Sequence, residues 1–216
     1  MKKIAVVLSG CGVYDGAEIH EAVLTLLAID NNGAQYQCVA PNIQQRQVVN
    51  HLTQQISDEV RNVLVEAARI ARGDIKDIAS VKAEDFDAAI FPGGLGAVMN
   101  LSDFAQKDIN CELEAGTLKF AKALYAAKKP LGFACISPVL AAKICDTGIQ
   151  LTIGNDPEMA KKLQAMGAEH EDCSAENIVV DSDHNVVSTP AYMLGKGPAE
   201  IYQGIDAMVR HILLIA

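Results

Sequence analysis

The sequence predicts an α/β protein: a mostly parallel sheet with helices on both faces, plus one small β-hairpin near the C-terminus. Three observations point there. Short apolar runs alternate with stretches of helical period along nearly the whole chain. Half of the 216 residues are hydrophobic, yet Trp is absent and aromatic residues make up only 5%. The core is therefore built from Ala, Val, Ile and Leu, which suits strands covered on both faces. Finally, sharp turn signals follow three of the apolar runs, at the ends where α/β sheets bind ligands.

The elements follow in order. Ile4–Leu8 reads as a buried strand and Ser9–Gly16 as a glycine-rich loop. Ala17–Asn31 reads as a helix with Ile19, Ala22, Val23, Leu26 and Leu27 as its apolar positions, ended by Asn32-Gly33. Tyr36–Ala40 is a second strand, stopped by Pro41. The amide-rich stretch Asn42–Gln55 lacks helical period and reads as an inserted loop or short hairpin. Glu59–Ala71 has a helical stripe, Asp87–Phe91 is a strand running into Pro92-Gly93-Gly94, and Leu113–Ala127 is helical. Pro130–Ala134 is a strand leading to Cys135, followed by a helix over Pro138–Cys145. Gln150–Ile153 is a strand and Pro157–Met166 a helix. Asn177–Val180 and Asn185–Ser188 form the hairpin around Asp181-Ser182-Asp183-His184, and Ile201–Ile215 closes the chain as a helix. No repeat or linker divides residues 1–216, so one domain is expected.

Composition excludes several function classes. Lys and Arg number 18 against 27 Asp and Glu, a formal charge of −9. Such a surface repels phosphate backbones, and no basic run offsets it, so nucleic acid is not an expected partner. Six cysteines, at 11, 38, 111, 135, 145 and 173, include no C-x-x-C pair. That is neither a disulfide framework nor a zinc pattern, and reduced thiols with no metal are the simpler expectation. No segment approaches the roughly 20 apolar residues of a membrane helix. Lys2-Lys3 and the apolar run after them imitate a short lipoprotein signal, but the run is shorter than the roughly 7–15 residues a signal needs. A cytoplasmic protein is expected.

The candidate chemistry sits at three strand ends. The loop Gly10-Cys11-Gly12-Val13-Tyr14-Asp15-Gly16 invites a dinucleotide reading, which fails. Asp15 stands where a third Gly or Ala is needed, and the second strand ends in Ala40-Pro41 rather than an acidic residue. Leu131-Gly132-Phe133-Ala134-Cys135-Ile136-Ser137-Pro138 is more specific. A buried strand, a small residue, Cys135 and a proline in the first helical turn describe a nucleophile elbow. A helix N-terminus favours thiolate over thiol. The competing reading is a buried structural cysteine. Pro92-Gly93-Gly94-Leu95-Gly96 lets backbone approach a reacting centre, where the N–H of Gly94 or Leu95 joins those after Cys135 in an oxyanion hole. Glu18 and Glu21, three apart in the first helix, are either favourable anions at a helix start or partners of the thiol. A glutamate beside a thiolate must be protonated, and burial promotes that.

These segments carry a resemblance. Glu18-Ile19-His20-Glu21-Ala22-Val23, Pro92-Gly93-Gly94-Leu95-Gly96-Ala97 and Ala134-Cys135-Ile136-Ser137-Pro138 together resemble the ThiJ/PfpI superfamily, flavodoxin-like relatives of class I glutamine amidotransferases. Leu8–Gly16, Leu151-Thr152-Ile153-Gly154 and Thr189-Pro190-Ala191-Tyr192-Met193-Leu194 are similar to its ElbB branch, which is connected with isoprenoid biosynthesis and described as a glyoxalase. The resemblance implies Cys135 as nucleophile and Glu21 as the helix-borne glutamate contacting it, with Glu18 second. It places Gly94 and Ile136 at the oxyanion-hole backbone. It implies cofactor-free, lyase-type conversion of small dicarbonyls such as glyoxal to hydroxy acids, in a homodimer. One departure matters: many relatives place a His directly after the Cys or on a nearby strand end, and here Ile136 and Gly154-Asn155-Asp156 stand there. Among the five histidines, His20 beside Glu21 is the one candidate, its competing reading being an exposed helix residue. A cysteine-based redox sensor or partner-binding protein, and an amidotransferase-like hydrolase, are the alternative functions; the missing His weakens the hydrolase.

Overall fold

A computed structural model describes residues Met1–Ala216. Its strands are β1 (Lys3–Val7), β2 (Gln35–Ala40), β3 (Val48–Asn50), β4 (Gln55–Ser57), β5 (Ile75–Asp77), β6 (Ala88–Phe91), β7 (Leu131–Ala134), β8 (Gln150–Leu151), β9 (Glu169–His170), β10 (Val179–Asp181) and β11 (Val186–Thr189). Its helices are α1 (Ile19–Asn31), α2 (Val63–Ile70), α3 (Gly96–Met99), α4 (Phe104–Lys107), α5 (Ala115–Ala126), α6 (Pro138–Ile144), α7 (Pro157–Ala165) and α8 (Pro198–Ile215).

Seven strands form the main sheet in the order β10-β11-β7-β6-β1-β2-β5. All neighbours run parallel except the edge hairpin β10–β11, where Val180 pairs with Val187. The flavodoxin-like α/β fold expected from the ThiJ/PfpI resemblance is the fold observed. β1 shows why the centre holds. Ile4, Val6 and Leu8 enter one core, with α1, α2 and α8, while Ala5 and Val7 enter the other, with α5 and α6. Period-two alternation thus feeds both faces at once, and every β6, β7 and β11 residue is buried. On the second face Phe91 and Phe133 stack with ring centroids 4.9 Å apart. They lie at the last positions but one before the Gly93 turn and the Cys135 elbow, so packing fixes both turns from beneath.

The structure amends several expected elements. The amide-rich insertion is a hairpin, β3–β4, with Val49 opposite Ile56. The following helix does not begin at Glu59. Residues 59–61 are spent on other contacts, the Arg61 carbonyl accepting the Gln45 N–H, and Asn62 then caps α2 by accepting from the Val65 N–H. β5, β9, α3 and α4 are too short to announce themselves by period. Within α1 the buried face is Glu21, Ala22, Thr25, Ala28 and Ile29, whereas Ile19, Val23 and Leu27 are 43–45% exposed. Small residues let α1 lie close to the sheet and to α8, and they place Glu21 in the interior. No helix is long and apolar enough to cross a membrane.

Candidate active site

The end of β7 sets the site. Cys135 adopts φ +61°, a left-handed conformation that costs a non-glycine residue about 1–2 kcal/mol. Its surroundings over-determine it. The Cys135 N–H donates to the Thr189 carbonyl at 3.0 Å, continuing the β7–β11 ladder past the last strand residue. The buried Ser137 hydroxyl accepts the Ala134 N–H at 2.9 Å and donates to the Phe91 carbonyl at 2.7 Å, bolting the turn to β6. A strained residue held by several contacts is the local structure that the motif around Cys135 implies.

β6 supplies the second wall. Gly93 lies against the thiol so closely that a Cβ there would sit 2.3 Å from the Cys135 Cβ and 2.5 Å from Glu21 Oε2. Gly94, at φ +96°, lies under the start of α1, where a Cβ would meet the Gly16 carbonyl at 2.3 Å. The N–H groups of Gly94 and Ile136 lie near the Cys135 sulfur and favour its charged form. These are the two positions expected as oxyanion-hole donors, and in this state they serve the sulfur itself. The Leu95 N–H is occupied by the Val13 carbonyl at 2.8 Å and stays out of the site.

α1 supplies the acid. Glu18 is the N-cap, its Oε2 accepting the Glu21 N–H at 2.7 Å, and its own N–H donates to the Gly93 carbonyl at 2.9 Å. One turn deeper, Glu21 is fully buried. Its Oε2 accepts the Gly93 N–H at 2.8 Å, its Oε1 accepts the Tyr192 N–H at 3.1 Å, and the carboxyl lies beside the Cys135 thiol over Gly93. Of the two glutamates, the structure brings Glu21 to the sulfur and leaves Glu18 at the helix cap. His20 points away from the sulfur, its Nδ1 lying 2.8 Å from the Tyr192 hydroxyl. His51, His170 and His184 are engaged elsewhere, with Val49 and Tyr14, with Ile153, and with Asp181 respectively.

Burial governs the electrostatics. It pushes the Glu21 carboxyl up from an ordinary 4.5 to about 7; the Tyr192 N–H opposes that rise and the nearby Glu18 charge adds to it. The Cys135 thiol is also pushed up, first by burial and then by the Glu21 charge, against the pull of the Gly94 and Ile136 N–H groups. The expected helix-end depression of the thiol is thus outweighed: a sulfur 8% exposed beside a carboxylate loses more to desolvation than two N–H groups return. Near neutral pH the Glu21 carboxyl is therefore the member of the pair that ionises first. Cys135 lines none of the well-formed surface cavities around Ile43–Arg46, Ile78–Glu84, Tyr125, Val23–Leu27 and Asp181–His184.

Reading the sequence missed four contributors: the Gly93 N–H, the Tyr192 N–H, the Thr189 carbonyl and the Ser137 hydroxyl. All four lie within segments that carried the resemblance, but three act through backbone atoms, which residue identity does not reveal. No grouping of His, Cys, Asp and Glu side chains has the arrangement to hold a metal ion.

No model of a protein family matches the chain. It is 44% identical over 223 residues to human glutamine amidotransferase-like class 1 domain-containing protein 3, mitochondrial, an alignment covering 98% of this chain and 82% of that protein. It is 42% identical over 221 residues to the rat ES1 protein homolog, mitochondrial, covering 98% and 83%. Among solved structures, an isoprenoid biosynthesis protein with amidotransferase-like domain from Ehrlichia chaffeensis superposes with a TM-score of 0.92 at 36% identity, covering 99% of this chain and all of that one. Drosophila melanogaster DJ-1beta, at 18% identity and a TM-score of 0.57 over 100% and 95% of the two chains, shares the fold. The relatives' names overturn the expectation of a cytoplasmic protein, since both are named as mitochondrial. The short apolar run spoke only against a secretory signal, and reduced cysteines suit any reducing compartment. With such identity over nearly its whole length, this chain belongs to the glutamine amidotransferase-like class 1 family that includes the ES1 proteins.

Proposed function

We propose that the protein is an ElbB-type, cofactor-free glyoxalase, a lyase that converts glyoxal and similarly small dicarbonyls to hydroxy acids at Cys135. The observation that carries this reading is the buried Glu21 carboxyl beside the Cys135 thiol, which accepts two backbone N–H groups and is pushed up by burial to about 7. Such a group both gives and takes a proton at neutral pH. The Glu21 carboxylate takes the Cys135 thiol proton as the sulfur adds to one aldehyde carbon and delivers that proton to the new oxygen, giving a hemithioacetal. The Glu21 carboxylate then removes the hydrogen from that carbon as a proton, forming an enediolate. Returning this proton to the neighbouring carbon, with the hydroxyl proton of the first carbon passing to the neighbouring oxygen, leaves a hydroxyacetyl thioester on Cys135. Water hydrolyses the thioester, releasing glycolate and restoring the thiol. The sum is glyoxal plus water to glycolate, with no redox partner. In this reading the Gly94 and Ile136 N–H groups, which favour charge on the sulfur, receive the oxygen charge that develops at the adjacent carbon.

The similarity to an isoprenoid biosynthesis protein is consistent with the ElbB assignment and adds nothing about substrate. Cys135→Ala is expected to abolish glyoxal consumption by the purified protein, and Glu21→Gln to reduce it by roughly 10²–10⁴. Glycolate release that survives Cys135→Ala refutes the proposal. Peroxide-selective modification of Cys135 in a protein that releases no glycolate favours the redox-sensor reading.

A further inference from the structure

Tyr192 touches the site twice. Its backbone N–H donates to Glu21 Oε1 at 3.1 Å, and its hydroxyl lies 2.8 Å from the Nδ1 of His20, the residue just before Glu21. The contacts close a ring: from His20 along the chain to Glu21, across to the Tyr192 N–H, and back through the phenol. The rings also lie in tilted contact, with centroids 5.8 Å apart. Tyr192 belongs to a short turn, Ala191–Met193, in which Ala191 is held at φ +44°. A left-handed alanine persists only where neighbouring contacts hold it.

We propose that the His20–Tyr192 hydrogen bond is a latch that keeps the Tyr192 N–H on the Glu21 carboxyl and so sets the pH at which the Glu21–Cys135 pair gives up its proton. Both are positioning residues: neither side chain reaches the sulfur. The inference rests on the Glu21–Cys135 pairing used above. The titratable groups facing Glu21 are Glu18 from its own turn, Cys135 from the elbow and Tyr192 from the turn after β11. The Tyr192 N–H is one of the two backbone donors that favour the Glu21 carboxylate, and the one that holds Oε1. When the latch is lost, the turn relaxes, that donor withdraws, and the carboxyl keeps its proton to higher pH. The shared negative charge then rests more on sulfur.

The test is the pH dependence of Cys135 alkylation by iodoacetamide, followed by mass spectrometry of the peptide carrying Cys135 in the intact protein. Tyr192→Phe and His20→Ala are each expected to raise the midpoint by up to about one pH unit, a tenfold change in acidity. The double variant is expected to go no further, because both changes break one bond. His20→Asn, which presents a hydrogen-bonding group near the place of Nδ1, is expected to restore the midpoint. Tyr202→Phe is the control. It removes the hydroxyl that accepts from Asn31 at 3.0 Å, at the far end of α1, and is expected to leave the midpoint unchanged. A midpoint unmoved by Tyr192→Phe, or moved equally by Tyr202→Phe, overturns the latch. The readout needs no turnover, so a midpoint that shifts as expected in a protein that never releases glycolate refutes only the proposed reaction.

Discussion

Glu21→Gln turns the buried carboxyl into a stability measurement. In the folded protein the group titrates at about 7 rather than 4.5. The folded state therefore binds more protons than the unfolded chain between those values, and stability falls as pH rises. The contribution is fully present below about 4.5 and lost once pH passes about 7. At 1.36 kcal/mol per unit the whole window is worth roughly 3 kcal/mol, most of it between pH 5 and pH 8. Glutamine removes this dependence but adds a constant cost. Both carboxyl oxygens accept a backbone N–H, from Gly93 and from Tyr192, so the amide nitrogen must face one of those donors. An unmade hydrogen bond of that kind costs about 1–3 kcal/mol at every pH. Urea unfolding of both proteins, under reducing conditions from pH 5 to pH 8.5, separates the two effects. The variant is expected to be the less stable at pH 5, and the gap is expected to close by roughly 2–3 kcal/mol by pH 8.5. Titrating groups that do not interact with Glu21 cancel in the difference. A gap that stays constant across this range refutes the elevated carboxyl.

Two further substitutions test the walls of the site. Gly93→Ala forces a methyl to within 2.3 Å of the Cys135 Cβ, so we expect a loss of about 1–3 kcal/mol, seen as a lower Tm, and much slower Cys135 alkylation. Ser137→Ala leaves the Ala134 N–H and the Phe91 carbonyl without their partner; unfolding in urea is expected to show a similar loss, and alkylation should slow as the elbow relaxes.

The sheet was legible because its strands are buried on both faces. Runs such as Ile4–Leu8 and Asp87–Phe91 carry their assignment in composition, and the turns after them in Gly and Pro. The edges were not legible. β5 has three residues, two of them charged, and its strand state comes from pairing with β2 rather than from its own pattern. The orientation of α1 was misread for a related reason. Ile19, Val23 and Leu27 form a proper apolar stripe, but the sheet and α8 favour the smaller Ala22, Thr25 and Ala28, which permit close approach. Within the site, residue types and spacing led to Cys135, Glu21 and the glycines. The protonation of the pair was not legible, because it depends on the depth of burial and on a backbone donor from the turn after β11, more than fifty residues further along the chain.

The left-handed backbone at Cys135 bears on how the protein tolerates change. Glycine adopts φ near +60° at no steric cost, so Cys135→Gly releases the strain that the cysteine carries. It also removes a buried ionisable group from beside Glu21. Against this stand only the lost sulfur contacts and the greater freedom of an unfolded glycine. For folding alone, a position with such a backbone is nearly indifferent between the two residues; for a thiol held over the sheet it is not. If the chemistry were to lapse, glycine is the replacement that the scaffold would resist least.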